Sequence, residues 1–183
     1  MSSKVTLNKF NHKEGLDRGA SKFKETLWYL VKMLFFLTAF PFLSCLKCWI
    51  LRIFGAKIGK NVLIKPRVNI HFPWKLEVGN DVWIGEDVFI LNFEKIKIGS
   101  NVCISQRAFL CGGNHNYKNP SMSYRNGSIT LENGCWVGAQ CFVAPNITIG
   151  TDCVVSACSV VTNSLPENMI CAGNPCRPIK ERF

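Results

Sequence analysis

The sequence predicts an all-β solenoid, a parallel β-helix of hexapeptide repeats preceded by an apolar helical segment and interrupted by one inserted loop. Three observations carry this expectation. Across residues 58–164 a branched aliphatic residue returns every six positions, a small residue usually stands four places after it, and in the first half the phase slips by two after every third hexad. A single Ile-Gly-x-x-Val hexad is an ordinary strand and turn. Its recurrence through more than half of a 183-residue chain is the signature of a stacked hexapeptide array.

The array begins with hexads at Ile58, Ile64 and Ile70. It resumes at Val78, Ile84 and Ile90, and again at Ile98, Ile104 and Leu110. After the insertion it runs through Leu131, Val137, Val143, Ile149, Val155 and Val161, with Cys135, Cys141, Ile147, Cys153 and Ser159 in the fifth slot. A period of six within a unit of three hexads implies a triangular coil, in which each hexad supplies one flat side and its aliphatic residue points inward. One coil cannot bury its own apolar edge, so successive coils must stack and the fold grows along one axis.

In front of the array, residues 1 to about 24 are polar and without period, which fits a flexible or loosely docked arm. Residues 27–54 are rich in Leu, Phe, Trp and Ile, broken by Lys32, Pro41, Lys47 and Arg52. The longest uncharged run, Met33 to Leu46, falls short of the ~20 residues a spanning helix needs. It also starts too far from Met1 for a cleaved signal peptide. Two helices split near Pro41 are expected, either covering the open end of the β-helix or lying on the inner leaflet with Lys32, Lys47 and Arg52 at the headgroups; both can hold. The expected divisions are 1–57 for arm and helices, 58–166 for the array with its loop at 112–128, and 167–183 for a last strand and basic tail.

The loop is dense in Gly, Asn, Pro and Ser, and a regular solenoid tends to carry its chemistry in such an insertion. A net charge of +10 asks for an anionic partner such as cofactor phosphates or acidic lipid. No element interleaves dense Arg and Lys with aromatics, which argues against nucleic acid. The ten cysteines sit mostly in small-residue slots, and the one Cys-x-x-Cys, at Cys45 and Cys48, has no second pair to complete a zinc site. Reduced thiols in a cytoplasmic protein are expected, with no metal.

Leu51-Arg-Ile-Phe-Gly-Ala-Lys-Ile-Gly-Lys-Asn-Val, Pro73-Trp-Lys-Leu, Ile104-Ser-Gln, Leu110-Cys-Gly-Gly-Asn-His115, Cys135-Trp-Val-Gly, Phe142-Val-Ala-Pro and Gly173-Asn-Pro together resemble one family. It is the hexapeptide-repeat acyltransferases, and within it the colanic-acid biosynthesis O-acetyltransferases, related to the maltose, galactoside and nodulation acetyltransferases. The resemblance spans nearly the whole chain. It implies a left-handed winding, since crossovers between parallel strands are otherwise right-handed. It also implies acetyl coenzyme A as donor, a saccharide hydroxyl as acceptor, possible attachment of that acceptor to a lipid, and a homotrimer with the cofactor between neighbouring β-helices.

Carried onto this sequence, the family's catalytic histidine matches His115, one of three histidines beside His12 and His71. A sugar hydroxyl is a poor nucleophile at neutral pH, so a base must take its proton during attack on the thioester. Imidazole is suited to that task and can return the proton to the departing thiolate. The family often has Asp after this histidine where this chain has Asn116, which leaves Asp87, Glu94 or a backbone carbonyl as the group that orients the ring. By the same resemblance, a backbone N–H near Gly138 and Ala139 receives the oxyanion. Ala157, Thr162, Arg177 and Lys180 join these two along the cofactor, and Asn114, Tyr117 and Trp136 meet the acceptor. Asn163 stands where relatives often carry Lys.

Three other functions compete. A zinc carbonic anhydrase on a similar β-helix needs three protein ligands, and only His71 and His115 stand in the array. A nucleotidyltransferase needs a nucleotide-binding domain larger than residues 1–57. A non-catalytic membrane scaffold has no use for an imidazole in a glycine-rich loop. Transfer to an amine or a non-sugar acceptor remains an alternative within the acyltransferase reading.

Overall fold

The computed structural model describes residues 4–183, and the hexads form a three-sided β-helix. Face A stacks β1 (Lys57–Ile58), β4 (Leu76–Val78), β7 (Ile96–Ile98), β10 (Ile129–Leu131) and β13 (Ile147–Ile149). Face B stacks β2 (Leu63–Ile64), β5 (Trp83–Ile84), β8 (Cys103–Ile104), β11 (Trp136–Val137) and β14 (Val154–Val155). Face C stacks β3 (Asn69–Ile70), β6 (Phe89–Leu91), β9 (Phe109–Cys111), β12 (Phe142–Val143) and β15 (Val160–Val161). The ladders are parallel and keep the hexad register. Ile58, Val78, Ile98, Leu131 and Ile149 align on face A, and Ile64, Ile84, Ile104, Val137 and Val155 on face B. Ile70, Ile90, Leu110, Val143 and Val161 align on face C.

These rows are the core. Nearly all are buried, as are the fifth-slot Cys135, Cys141, Cys153 and Ser159. Each aliphatic side chain removed from water contributes about 1.5–3 kcal/mol before entropy is counted. The ten cysteines are free, and burial pushes the Cys135 thiol up to about 12, so these side chains act as small apolar filler. Three places after most aliphatics the backbone turns through positive φ, at Asn61, Asp81, Asp87, Asn101, Asn146 and Asp152 among others. Asn and Asp tolerate that left-handed region better than most residues, which explains their place at the corners.

The irregularities all leave at one edge, between faces C and A. The first two-residue slip is absorbed by a short 3-10 turn at Pro73–Lys75, the second by residues 92–95, and the insertion at 112–128 leaves from the same edge. At the second slip Asn92 is fully buried and its amide stands in for a strand. It accepts from Phe72 N at 2.8 Å and donates to Phe72 O at 2.5 Å.

The open end carries α1 (Lys22–Phe35), capped by Ser21, and α2 (Ser44–Ile53), separated around Pro41. Their side chains satisfy the first coil's unpaired carbonyls on every face. Trp28 Nε1 donates to Ile70 O and His71 O, Lys47 Nζ to Ile64 O and Lys65 O, and Arg52 to Ile58 O and Gly59 O. A buried acceptor left without such a donor would cost about 1–3 kcal/mol. This corrects the expectation that Lys32, Lys47 and Arg52 meet lipid headgroups. Lys47 is fully buried, Lys32 nearly so with burial lowering its pKa, and Arg52 is engaged with backbone carbonyls. Beside them His71 is held neutral. Burial, helped by the Lys32 and Arg18 charges, brings it down to about 4.

The far end also differs from a strand with a free basic tail. β16 (Met169–Gly173) continues face B beyond β14, and β17 (Cys176–Glu181) folds back antiparallel to it, closing that edge.

Candidate active site

The insertion is a narrow finger rather than an open loop. Its two limbs pair through Gly127 N to Gly112 O at 3.0 Å, Arg125 N to Asn114 O at 2.8 Å, and Asn116 N to Ser123 O at 2.7 Å. His115 therefore faces Tyr124 across an antiparallel bridge, and their rings stack with centroids 5.0 Å apart. Phe10, from the N-terminal arm, meets the His115 ring edge-on at 5.6 Å and the Tyr124 ring at 5.3 Å. The polar arm, expected to be flexible or loosely docked, is packed on the finger.

His115 Nδ1 lies 2.6 Å from Met122 O. A carbonyl only accepts, so Nδ1 carries the proton and neutral imidazole keeps a free lone pair on Nε2. The orienting group is thus the backbone carbonyl among the three candidates. Asp87 is occupied elsewhere, between Arg67 at 2.7 Å and Arg107 at 3.8 Å, and its hydrogen bond from Arg67 holds its carboxyl below the usual range. Glu94 lines a separate cavity of about 310 Å³ with Lys57, Lys75, Lys95 and Glu77.

A groove of about 450 Å³ runs along face B and its edge with face C, lined by Ser105, Trp136, Gly138, Ala139, Ser156 and Ala157 among others. Trp136 is half-exposed there, anchored by Nε1 donating to Ser105 Oγ at 2.9 Å. Gly138 fits because a Cβ would stand 2.6 Å from Ala157 N and from Val155 O. Its own N–H is spent on Val155 O at 2.8 Å, so it cannot serve an oxyanion. The neighbouring Ala139 N–H, partly exposed, has no partner among the described residues and is the available donor.

The expected site residues thus separate into two groups within one chain. Trp136, Gly138, Ala139 and Ala157 line the groove, and Arg177 and Lys180 stand exposed on β17 in the same face-B sheet. His115 and Asn114 lie on the finger at the C–A edge, with Thr162 beyond them on that edge. Asn114 accepts from His115 N at 2.8 Å through its side chain, a local support for the loop. Tyr117 is exposed near the fingertip and makes no ring contact with His115. Sequence reading missed Phe10, Met122 and Tyr124. An aromatic in the middle of a polar arm was a signal for the first, and a second tyrosine within the insertion was one for the third.

The family model for bacterial transferase hexapeptide (six repeats) matches residues 128–163. The chain is 41% identical over 165 residues to the "Putative colanic acid biosynthesis acetyltransferase WcaF" of Escherichia coli K12, covering 90% of this chain and 91% of that protein. It is 30% identical over 131 residues to the galactoside O-acetyltransferase of the same organism, covering 69% and 64%. Among solved structures, the hexapeptide-repeat acetyltransferase VCA0836 of Vibrio cholerae, complexed with acetyl coenzyme A, superposes with a TM-score of 0.81 over all of both chains at 21% identity.

Proposed function

Because this chain belongs to the hexapeptide-repeat acetyltransferases, we propose that it moves an acetyl group from acetyl coenzyme A to a saccharide hydroxyl, with His115 Nε2 as general base. The observation that supports this most directly is the imidazole pinned through Nδ1 to Met122 O, which leaves the lone pair of the other ring nitrogen to accept a proton. Nε2 takes the hydroxyl proton as the oxygen attacks the thioester carbonyl. The carbonyl electrons move to oxygen, where the Ala139 N–H is the donor in reach of the groove. The tetrahedral intermediate collapses, the C–S bond breaks, and the protonated Nε2 returns its proton to the thiolate. Among the described residues no group of three or more His, Cys, Asp or Glu side chains is placed to hold a metal ion.

The relatives named for colanic acid biosynthesis and for galactoside acetylation support a sugar of a polysaccharide or glycoside as the acceptor. Incubation with acetyl coenzyme A and saccharide acceptors is expected to release one free thiol per O-acetyl ester formed. Acetyl appearing on an amine instead would exclude a hydroxyl acceptor.

The assembly that fits is a homotrimer, because the finger and the groove lie at different edges of one prism and meet when flat sides pack around a threefold axis. The cofactor then lies between neighbours with its phosphates toward Arg177 and Lys180.

Contact with a lipid surface is also part of this reading. Among the described residues no helix is long and apolar enough to cross a membrane. Yet α1 and the turn after it bury Trp28, Lys32 and Phe36 on one side and expose Phe23, Leu27, Leu30, Leu34 and Leu37 on the other, continued by Phe40, Leu43, Trp49 and Ile53. A stripe repeating at three and four residues is the spacing of an interfacial helix. With Lys32 and Lys47 buried, insertion is mainly apolar. The protein is expected to float with phospholipid vesicles at low salt and to remain largely bound at 1 M salt, where the Debye length is ~3 Å. Protein left in the aqueous fraction at low salt would make the helices an end-cap only.

A further inference from the structure

The N-terminal arm reaches the finger at several points along its length. Thr6 N donates to Pro120 O at 2.8 Å near the tip, Phe10 packs on the His115 and Tyr124 rings, and Gly15 lies under Tyr124. Asn126 ties the arm to the residue before His115, donating to Gly15 O at 3.0 Å and accepting from Asn114 N at 3.1 Å. Gly15 adopts φ +75°, and a Cβ there would stand 2.8 Å from Tyr124 O, so the arm's approach requires glycine. Leu16 is buried, so the arm is anchored by packing as well as by hydrogen bonds.

A finger whose limbs are joined by one isolated bridge and a few backbone hydrogen bonds is marginal by itself. Its hydrogen bonds fix the backbone of His115, and the single bond to Met122 O fixes one ring nitrogen. One hydrogen bond leaves the ring free to swing about that contact, and the stack on Tyr124 limits the swing on one face. Phe10 touches both rings and closes the remaining direction.

We infer that Phe10 is a positioning residue for the His115 imidazole, so that the N-terminal arm forms part of the catalytic apparatus; this rests on His115 acting as the base. Phe10 makes no claim on the proton. Its role is to keep Nε2 aimed, and a base misplaced by an ångström loses much of its rate advantage.

The test uses the full chain with Phe10→Ala, Phe10→Leu and Phe10→Tyr. Phe10→Ala is expected to lower kcat by roughly tenfold with KM for acetyl coenzyme A unchanged, because Phe10 is not among the residues that line the groove. Phe10→Tyr restores the ring and most of the rate. Phe10→Leu keeps apolar bulk without the aromatic edge and should fall between the two, which preserves the test should the alanine variant fold poorly. The ¹⁵N resonances of His115 should report a protonated Nδ1 in the wild type and a tautomer mixture in Phe10→Ala. Wild-type kcat together with unchanged ¹⁵N resonances in Phe10→Ala or Phe10→Leu would overturn the inference. An active His115→Ala protein would instead remove the base assignment on which it rests.

Discussion

Replacing His115 by alanine is expected to lower kcat by at least ~100-fold, the usual scale for a general base. A factor of that size corresponds to about 2.7 kcal/mol of lost transition-state stabilisation. Binding of acetyl coenzyme A should stay unchanged, because the groove residues Trp136, Gly138, Ala139 and Ala157 do not include the finger. The side chain's packing is local, with Tyr124 and Phe10 as its ring neighbours, so the coils should not loosen. Calorimetric titration with coenzyme A and thermal melting separate these readouts from turnover. A variant that turns over normally would exclude His115 as the base.

Mixing two inactive variants is expected to restore activity. Ala157→Trp fills the groove from an exposed position and His115→Ala removes the proposed base from the finger, so in the proposed trimer either variant alone would lack one half of every site. If every site joins the finger of one subunit to the groove of the next, each mixed trimer should recover one of its three sites, about a third of wild-type activity. Co-expression with two affinity tags and assay of the doubly captured fraction reads this directly. No recovery in mixed trimers would mean that each chain completes its own site, and an active monomer would exclude the trimer altogether.

The hexad rows were legible because burial in a solenoid repeats with the backbone, so a period in Ile58, Val78 and Ile98 is also a column in space. The face-B groove was legible through the resemblance, since Trp136, Gly138, Ala139 and Ala157 come together in it. What escaped depends on contacts that no local pattern encodes. The group orienting His115 is a backbone carbonyl seven residues away, and carbonyls have no letter in a sequence. Lys32 and Lys47 read as headgroup ligands because lysine is rarely buried. Here Lys47's ammonium is needed by two edge carbonyls, a demand set by where the first coil ends. The pairing of the basic tail as β17 could not be read from Arg177 and Lys180 themselves, because it depends on the free edge of β16, and exposed charges suit an edge strand. Phe10 acts across more than a hundred residues of chain, which only the tertiary fold reveals.

All surplus chain in the first three coils leaves at the C–A edge, while the hexads along the other two edges keep their count of six. Under the proposed reading, the base on the finger and the groove are thereby carried by separable parts of one sequence. The finger can grow or shrink without moving a single inward-facing row, and doubling the length of such a loop costs only about 0.6 kcal/mol of closure entropy. If the proposed sites hold, a change of acceptor could be made by redrawing residues 112–128 and the arm that packs on them, without altering the coils that line the groove.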